Sequence, residues 1–377
     1  MSIKTRKAMP TLLVAVIVLL LLPGMACNLF TAQPEEPEVV EDPIVIEEPE
    51  VIEEPEPEED PAFRPEQVLR LDFDDTVRSV AFNQDGTLFA TGISNQIDVW
   101  NTTDGQRQLT LDELRGSPED IAFSPDDQHM LVAQHAFGAK LYNLEDGQIT
   151  VDFHGGLHNR LALSPDGARV ATGNMNGLTW LWEVDTGEQI FEMNAGDVVE
   201  AYAEWARGME LIELAFSPDG RLVVAGHYDG MVFIWNAETG EMERLIEPET
   251  DRCTPDGLAF SNDGEILAVG GARVDFDEVV RLYRVSDGSF VRDLEHGSRG
   301  GTAASPVVFS PDGNLIAFGA NDGIYIWSLP GYELLHTIPI DETDAIDWVT
   351  DLAFSPDSQF LLAGYWDDYA ILWQVQE

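Results

Sequence analysis

"LAFSPDG", residues 214–220, is a phrase that the chain repeats with small changes. It reads "SVAFNQDG" at 79–86, "DIAFSPDD" at 120–127, "RLALSPDG" at 160–167 and "GLAFSNDG" at 257–264. It returns as "PVVFSPDG" at 306–313 and "DLAFSPDS" at 351–358. Alternating apolar residues that run into Phe or Leu have the period of a strand. In the turn that follows, Pro fixes φ, Asp bonds its own backbone and Gly supplies positive φ. Each copy is therefore a strand that ends in a tight turn.

Working outward from the phrase, every unit from residue 67 onward has one grammar. A second strand such as "RLVVAG" (221–226) follows the turn, then a third strand ending in an aromatic, as in "MVFIW" (231–235). A "TG" or "DG" turn leads to a fourth strand such as "EMERLI" (241–246). The first-strand markers are Phe82, Phe123, Leu163, Phe216, Phe260, Phe309 and Phe354, spaced by 41, 40, 53, 44, 49 and 45 residues. The third-strand markers are Trp100, Tyr142, Trp182, Trp235, Tyr283, Trp327 and Trp373. Four antiparallel strands in a unit of about 40–45 residues is the pattern of a β-propeller blade. The fold class expected is all-β: a seven-bladed propeller of four-stranded antiparallel blades.

These units resemble the WD-repeat family over residues 67–377, with Trp at five of the seven third-strand ends. The family's Trp-Asp pair is absent, because Asn101, Glu183, Asn236, Ser328 and Gln374 follow the five tryptophans. The "WD" at Trp366–Asp367 lies out of register, in the loop after the second strand of the last unit. The last unit stops four residues after Trp373 and so lacks a fourth strand, while "QVLRLDF" (67–73) precedes the first unit without a unit of its own. That strand is expected to pair onto the last blade and remove an open sheet edge.

Residues 1–26 have the layout of a secretory signal peptide. Lys4, Arg6 and Lys7 precede the apolar run Thr11 to Leu22, and "PGMAC" follows. With Cys27 at its end, the segment resembles a bacterial lipoprotein signal, and that resemblance implies lipidation of Cys27 and a mature N-terminus there. The other reading is an uncleaved anchor, since residues 8–30 carry no charge and are long enough to span a bilayer. Both put the rest of the chain outside the cytoplasm, in the cell envelope and held to membrane. Residues 27–66 form a linker: from 31 to 66 there are fifteen Asp/Glu and eight Pro with a single Arg. Such a composition is expected to be disordered and extended, reaching about 120 Å if polyproline-like.

The whole chain has 69 acidic and 20 basic residues in 377, a net charge of −49. A surface of this sign repels phosphate backbones, so no nucleic-acid partner is expected. Cys27 and Cys253 are the only cysteines. If Cys27 carries lipid, Cys253 has no partner, and it reads as a semi-buried small residue.

Metalloprotease, serine-hydrolase, phosphate-loop and zinc-finger spacings are all missing, so no catalytic residue, cofactor or metal is assigned. "HGGLHNR", with His154, His158 and Arg160, and the acid-rich "DETDAIDWVTD" at 341–351 are weak candidates for ion sites. Two functions stay open. One is a non-catalytic scaffold that binds a protein or peptide, the propeller itself being monomeric. The other is a hydrolase or lyase whose acids converge at the central channel. In the resembled family, the connections from fourth to first strand and from second to third share one face, called the top. The longest fourth-to-first connection lies at 191–212, where Val198, Tyr202 and Trp205 have helical spacing. Insertions on a rigid scaffold tend to carry binding residues. The top-face candidates are therefore Trp205, Tyr202, Tyr228, Trp348, Tyr365 and Trp366, with Arg160 and Arg273 as scarce positive charges.

Overall fold

The repeated phrase closes as a caged turn. Ser217 Oγ donates to the Asp219 carboxylate at 2.6 Å and accepts the Leu222 N–H at 2.9 Å, while Asp219 accepts the Arg221 N–H at 3.0 Å. The same cage forms around Ser164, Ser261 and Ser355. In the first unit Asn83 replaces Ser: its Oδ1 accepts the Leu88 N–H at 2.8 Å and its Nδ2 donates to Asp85 at 2.8 Å. The serine hydroxyls hold Asp126, Asp166 and Asp219 below the usual carboxylate range. The serine hydroxyl and the aspartate carboxylate of the phrase thus each have a structural task.

In the computed structural model the described residues are 63–112, 114–154, 158–174, 177–195, 211–247, 253–273, 277–299, 305–340 and 347–376. The signal segment, Cys27 and nearly all of the acidic linker lie outside them. So do Tyr202, Trp205 and the rest of the helix expected around them. Among the described residues, no helix is long and apolar enough to cross a membrane.

Seven antiparallel sheets of four strands follow one another along the chain, forming the expected seven-bladed β-propeller. Blade 4 shows the plan: Leu211–Phe216 is innermost, then Leu222–His227, Val232–Asn236 and Met242–Ile246 outermost. The two middle strands are apolar at successive positions because neighbouring blades cover both faces, whereas the outer strands are half exposed. At the third-strand aromatic the register slips: Trp235 faces Met242, but Ile234 faces Arg244. This bulge recurs in the first six blades.

The seventh blade completes the ring with the N-terminal strand Glu66–Asp72, in the order expected. Gln67 faces Trp373 and Leu69 faces Leu372, which is the same slip of register. The closing strand therefore reproduces an outer strand down to its bulge. Its Leu69 and Leu71, with the adjoining Phe73, pack against Val77, Val80, Phe89 and Leu372.

Contact between blades is made by a close approach of backbone. A Cβ added to second-strand Gly173 would lie 2.6 Å from Leu211 Cδ2 of the next inner strand. The seventh blade meets the first in the same way, where a Cβ on Gly364 would lie 2.9 Å from Val77 Cγ1. Only a residue without a side chain leaves room there. The caged turns form a second ring, in which Pro125 packs on Gly167 of the following turn. Asp127 occupies the glycine position with φ 56° and offsets that strain by accepting the Gln84 N–H at 2.8 Å. The insertion near "GARVDFDE" lengthens the hairpin of blade 5, adding the pairs Gly271–Val279 and Ala272–Glu278.

A chain that begins at residue 63 should melt as the full-length protein does. One that begins at 74 loses the closing strand and several kcal/mol of apolar burial, at ~25 cal/mol per Å². We expect it to aggregate or to melt about 10 °C lower in a thermal scan. Equal melting temperatures for the two truncations would contradict closure by this strand.

Candidate protein-binding face

The caged turns and the third-to-fourth turns share one end of the blades, and they are filled by structural contacts. The opposite end carries the second-to-third turns and the chain entering each inner strand. On that end Trp348, just ahead of the inner strand of blade 7 (Val349–Phe354), stacks on Trp366. The ring centroids are 4.4 Å apart and the planes 20° apart. Trp366 is 40% exposed, and Trp348 beneath it is half-buried.

Asp347 builds this shelf. Its Oδ1 accepts the N–H groups of Trp348 at 2.8 Å and Asp367 at 3.0 Å, and its Oδ2 accepts the Tyr369 hydroxyl at 2.7 Å. Trp366 N–H donates to Trp348 O at 3.0 Å, joining the two loops. Thr76 Oγ1 donates to Trp366 O at 2.9 Å, tying the shelf to blade 1. From the closing strand, Arg70 lies over the Tyr369 ring at 3.9 Å. Burial, and then the Asp347 carboxylate, push the Tyr369 phenol far above its usual range, so it stays a donor.

The other sequence candidates are distributed unevenly. Tyr365 is corrected: it is 2% exposed, with its ring 4.3 Å from that of Tyr369, so it supports the shelf from within. Tyr228 is 56% exposed on the second-to-third turn of blade 4, well separated in sequence from the shelf. Arg273 is paired with Asp293 and Glu295 in the lengthened blade 5. Arg160 lies in the channel, where its Nε donates to Ile212 O at 2.6 Å and sits 3.4 Å from Glu213. Among the described candidates, the structure brings Trp348 and Trp366 together, with Tyr365 packed on Tyr369 within the same blade. Asp347 went unrecognised as an organiser because it read as one of five acids, and exposed Phe137 on blade 2 was overlooked. Cys253 is buried, with its thiol pushed up to about 12 by burial, as suits an inert core residue.

Acids do converge at the channel. A cavity of about 160 Å³ is lined by Arg78, Asp120, Arg160, Glu213, Asp256 and Asp351 among others. Asp120, Arg160 and Asp351 among them clasp the next blade, as does nearby Ser79. Ser79 Oγ donates to Pro118 O at 2.9 Å, Asp120 accepts the Leu161 N–H at 3.0 Å, and Asp351 accepts the Val80 N–H at 2.7 Å. A bulge just before each of these residues turns its side chain toward the neighbouring blade. Among the described residues no histidine lines the cavity, and no group of three or more His, Cys, Asp or Glu is arranged to hold a metal.

Burial pushes Asp351 up to about 7 and Asp256 up to about 8, from an ordinary value of 3.8. Asp120 and Glu213 are raised as well, mainly by burial. The folded channel thus keeps protons that the unfolded chain releases near pH 4. Stability should fall as pH rises from 4 to 8, since the native state binds more protons in that window. We expect the urea midpoint to drop between pH 5 and 8, and Asp256→Asn to flatten that drop. A midpoint that rises over the same range would contradict the assignment.

Three stretches, residues 65–101, 211–236 and 334–374, match the family described as "WD domain, G-beta repeat". They cover the closing strand with the first three strands of blade 1, the first three strands of blade 4, and blade 7 with the strand before it. Among similar proteins is "WD repeat-containing protein SL1-17" of Schistosoma mansoni, 30% identical over 46% of this chain and 53% of that protein. "Small ribosomal subunit protein RACK1z" of Oryza sativa subsp. japonica is 29% identical over 36% of this chain and 37% of its own length. "Eukaryotic translation initiation factor 3 subunit I" of Eremothecium gossypii is 26% identical over 52% and 58%. The chain spans less than two thirds of each. The chain is thus a seven-bladed β-propeller, three stretches of which match the WD-repeat family.

Proposed function

We propose that this propeller is a non-catalytic scaffold that docks a protein or peptide on the end of its blades bearing Trp348 and Trp366. The observation that carries the reading is the stacked, partly exposed tryptophan pair held by Asp347. A rigid aromatic anchor loses little conformational entropy on binding, and tryptophan is the commonest residue at binding hot spots. The opposite end offers turns in which the serine hydroxyls and their aspartates already bond one another. Weak similarity to a ribosomal-subunit protein and to an initiation-factor subunit, both components of assemblies by name, supports an interaction role. Tyr202, Trp205 and Tyr228 extend the proposed face. We further propose that the protein works in the cell envelope outside the cytoplasm, anchored to membrane by lipid on Cys27, with residues 27–66 as a stalk. Cys27→Ser should then move the protein out of the membrane fraction.

Full-length protein immobilised on resin should retain a defined set of envelope proteins. Ala at both Trp348 and Trp366 should remove that set and leave the circular dichroism spectrum unchanged, each hot spot contributing about 2 kcal/mol, or ~30-fold in affinity. Asn at Asp185 and Gln at Glu188, exposed on the opposite end, should retain it. Loss only from the latter variant would overturn the assignment.

A further inference from the structure

The shelf stands at the seam where the ring closes, and that seam has a chemistry of its own. Between the closing strand and blade 1 runs a groove of about 530 Å³. Phe73, Asp74, Asp75, Ser94, Gln96 and Trp100 help to line it. Thr76 and Phe73 join it to the shelf, through hydrogen bonds to Trp366 O and Asp368 O. Exposed Asp74, Asp75 and Asp367 stand around the two features, with Asp347 and Asp368 between them. The Asp368 carboxyl is raised, first by burial and then by Asp75, Asp367, Asp74 and Asp347, which reports a concentrated negative field.

Two arginines at the seam, Arg107 lining the groove and Arg70 on the other face of the closing strand, show which ligand chemistry suits it. Arg70 lies on the Tyr369 ring and pairs with Asp72 at 2.8 Å. Arg107 lies over Trp100 at 5.7 Å and pairs with the buried Asp98 at 3.2 Å. Each guanidinium is thus held by an aromatic face and a carboxylate together. Trp366, 40% exposed and followed in sequence by the exposed Asp367, offers the same two kinds of group.

We propose that the segment docking at this seam is a cationic stretch of a partner protein, lying in the groove with an arginine or lysine side chain over Trp366. A flat indole face attracts a cation through its quadrupole, and the flanking carboxylates supply the opposite charge. The idea rests on the scaffold reading above and names the partner's chemistry. Net charge alone does not locate such a partner, because acids cover much of the surface; the tryptophan pair does.

The test uses full-length protein and two labelled dodecapeptides, one alternating Gly with Arg and one alternating Gly with citrulline, followed by fluorescence anisotropy in 150 mM salt, about physiological ionic strength. The arginine peptide should bind at least about tenfold more tightly than the citrulline peptide. Trp366→Ala, and separately Asp74→Asn with Asp367→Asn, should each weaken it by about tenfold. Asp185→Asn with Glu188→Gln should leave it unchanged. Equal weakening by this last pair would show attraction to a diffuse acidic surface and overturn the proposal. Equal binding of both peptides, lost with Trp366→Ala, would sink the cationic partner and leave the scaffold reading standing. No binding of the arginine peptide that depends on Trp366 would also sink it, while the capture experiment judges the scaffold separately.

Discussion

A ring of sheets stands only if each inner strand is fastened to the next and the last is fastened to the first. Here one position does much of that work, three residues before the inner-strand marker, which is Phe in six blades and Leu163 in blade 3. Ser79, Asp120, Arg160 and Asp351 occupy it in blades 1, 2, 3 and 7, and each reaches the backbone of the following blade. At Gly257 the same position has no side chain because Ser305 O of the next blade comes within 2.4 Å of where a Cβ would stand. The bond from Val80 to Asp351 spans 271 residues of sequence and fastens the last blade to the first. Four raised carboxyls in the channel follow from this arrangement, since fastening at the axis buries acids beside one another.

Closure also explains why the candidate face lies where it does. Six junctions between blades join units that follow one another in the chain. The seventh brings together the closing strand, the first inner strand and the last blade, and it alone gathers Arg70, Thr76, Asp347, Trp348, Trp366 and Tyr369. One of the hydrogen bonds that shape the tryptophan shelf, from Thr76 to Trp366, therefore joins segments 290 residues apart. A binding surface built this way is pre-organised by the fold and loses little freedom when occupied.

The blades were legible because strand period, turn chemistry and aromatic markers all repeat, and each is a local property. Closure was legible too, since "QVLRLDF" had no unit and the last unit lacked a strand. The clasps were not, because Ser, Asp, Arg and Gly share a place in the ring and no chemistry a sequence pattern would group. Tyr365 was misplaced for a related reason: it ends a second strand facing the turn, and only the packing of Tyr369 with Arg70 from the closing strand shows it to be covered. Trp348 and Trp366 were readable as aromatics in loops, but their contact depends on Asp347 reaching across from one loop to the other. Arg160 and Arg273 looked scarce and available on composition, whereas both are engaged in the folded chain.

The account stands on the rigidity of the closing seam in the free protein, and amide hydrogen exchange resolved to single residues reads that directly. The N–H groups of Trp348, Trp366, Asp367 and Val80 each meet an acceptor across or beside the seam. They should exchange as slowly as amides in the middle strands of blade 4, at rates set by opening of the whole ring. Exchange of these four at the rates of unprotected loop amides, with blade 4 still protected, would contradict a pre-organised seam and the binding face built on it.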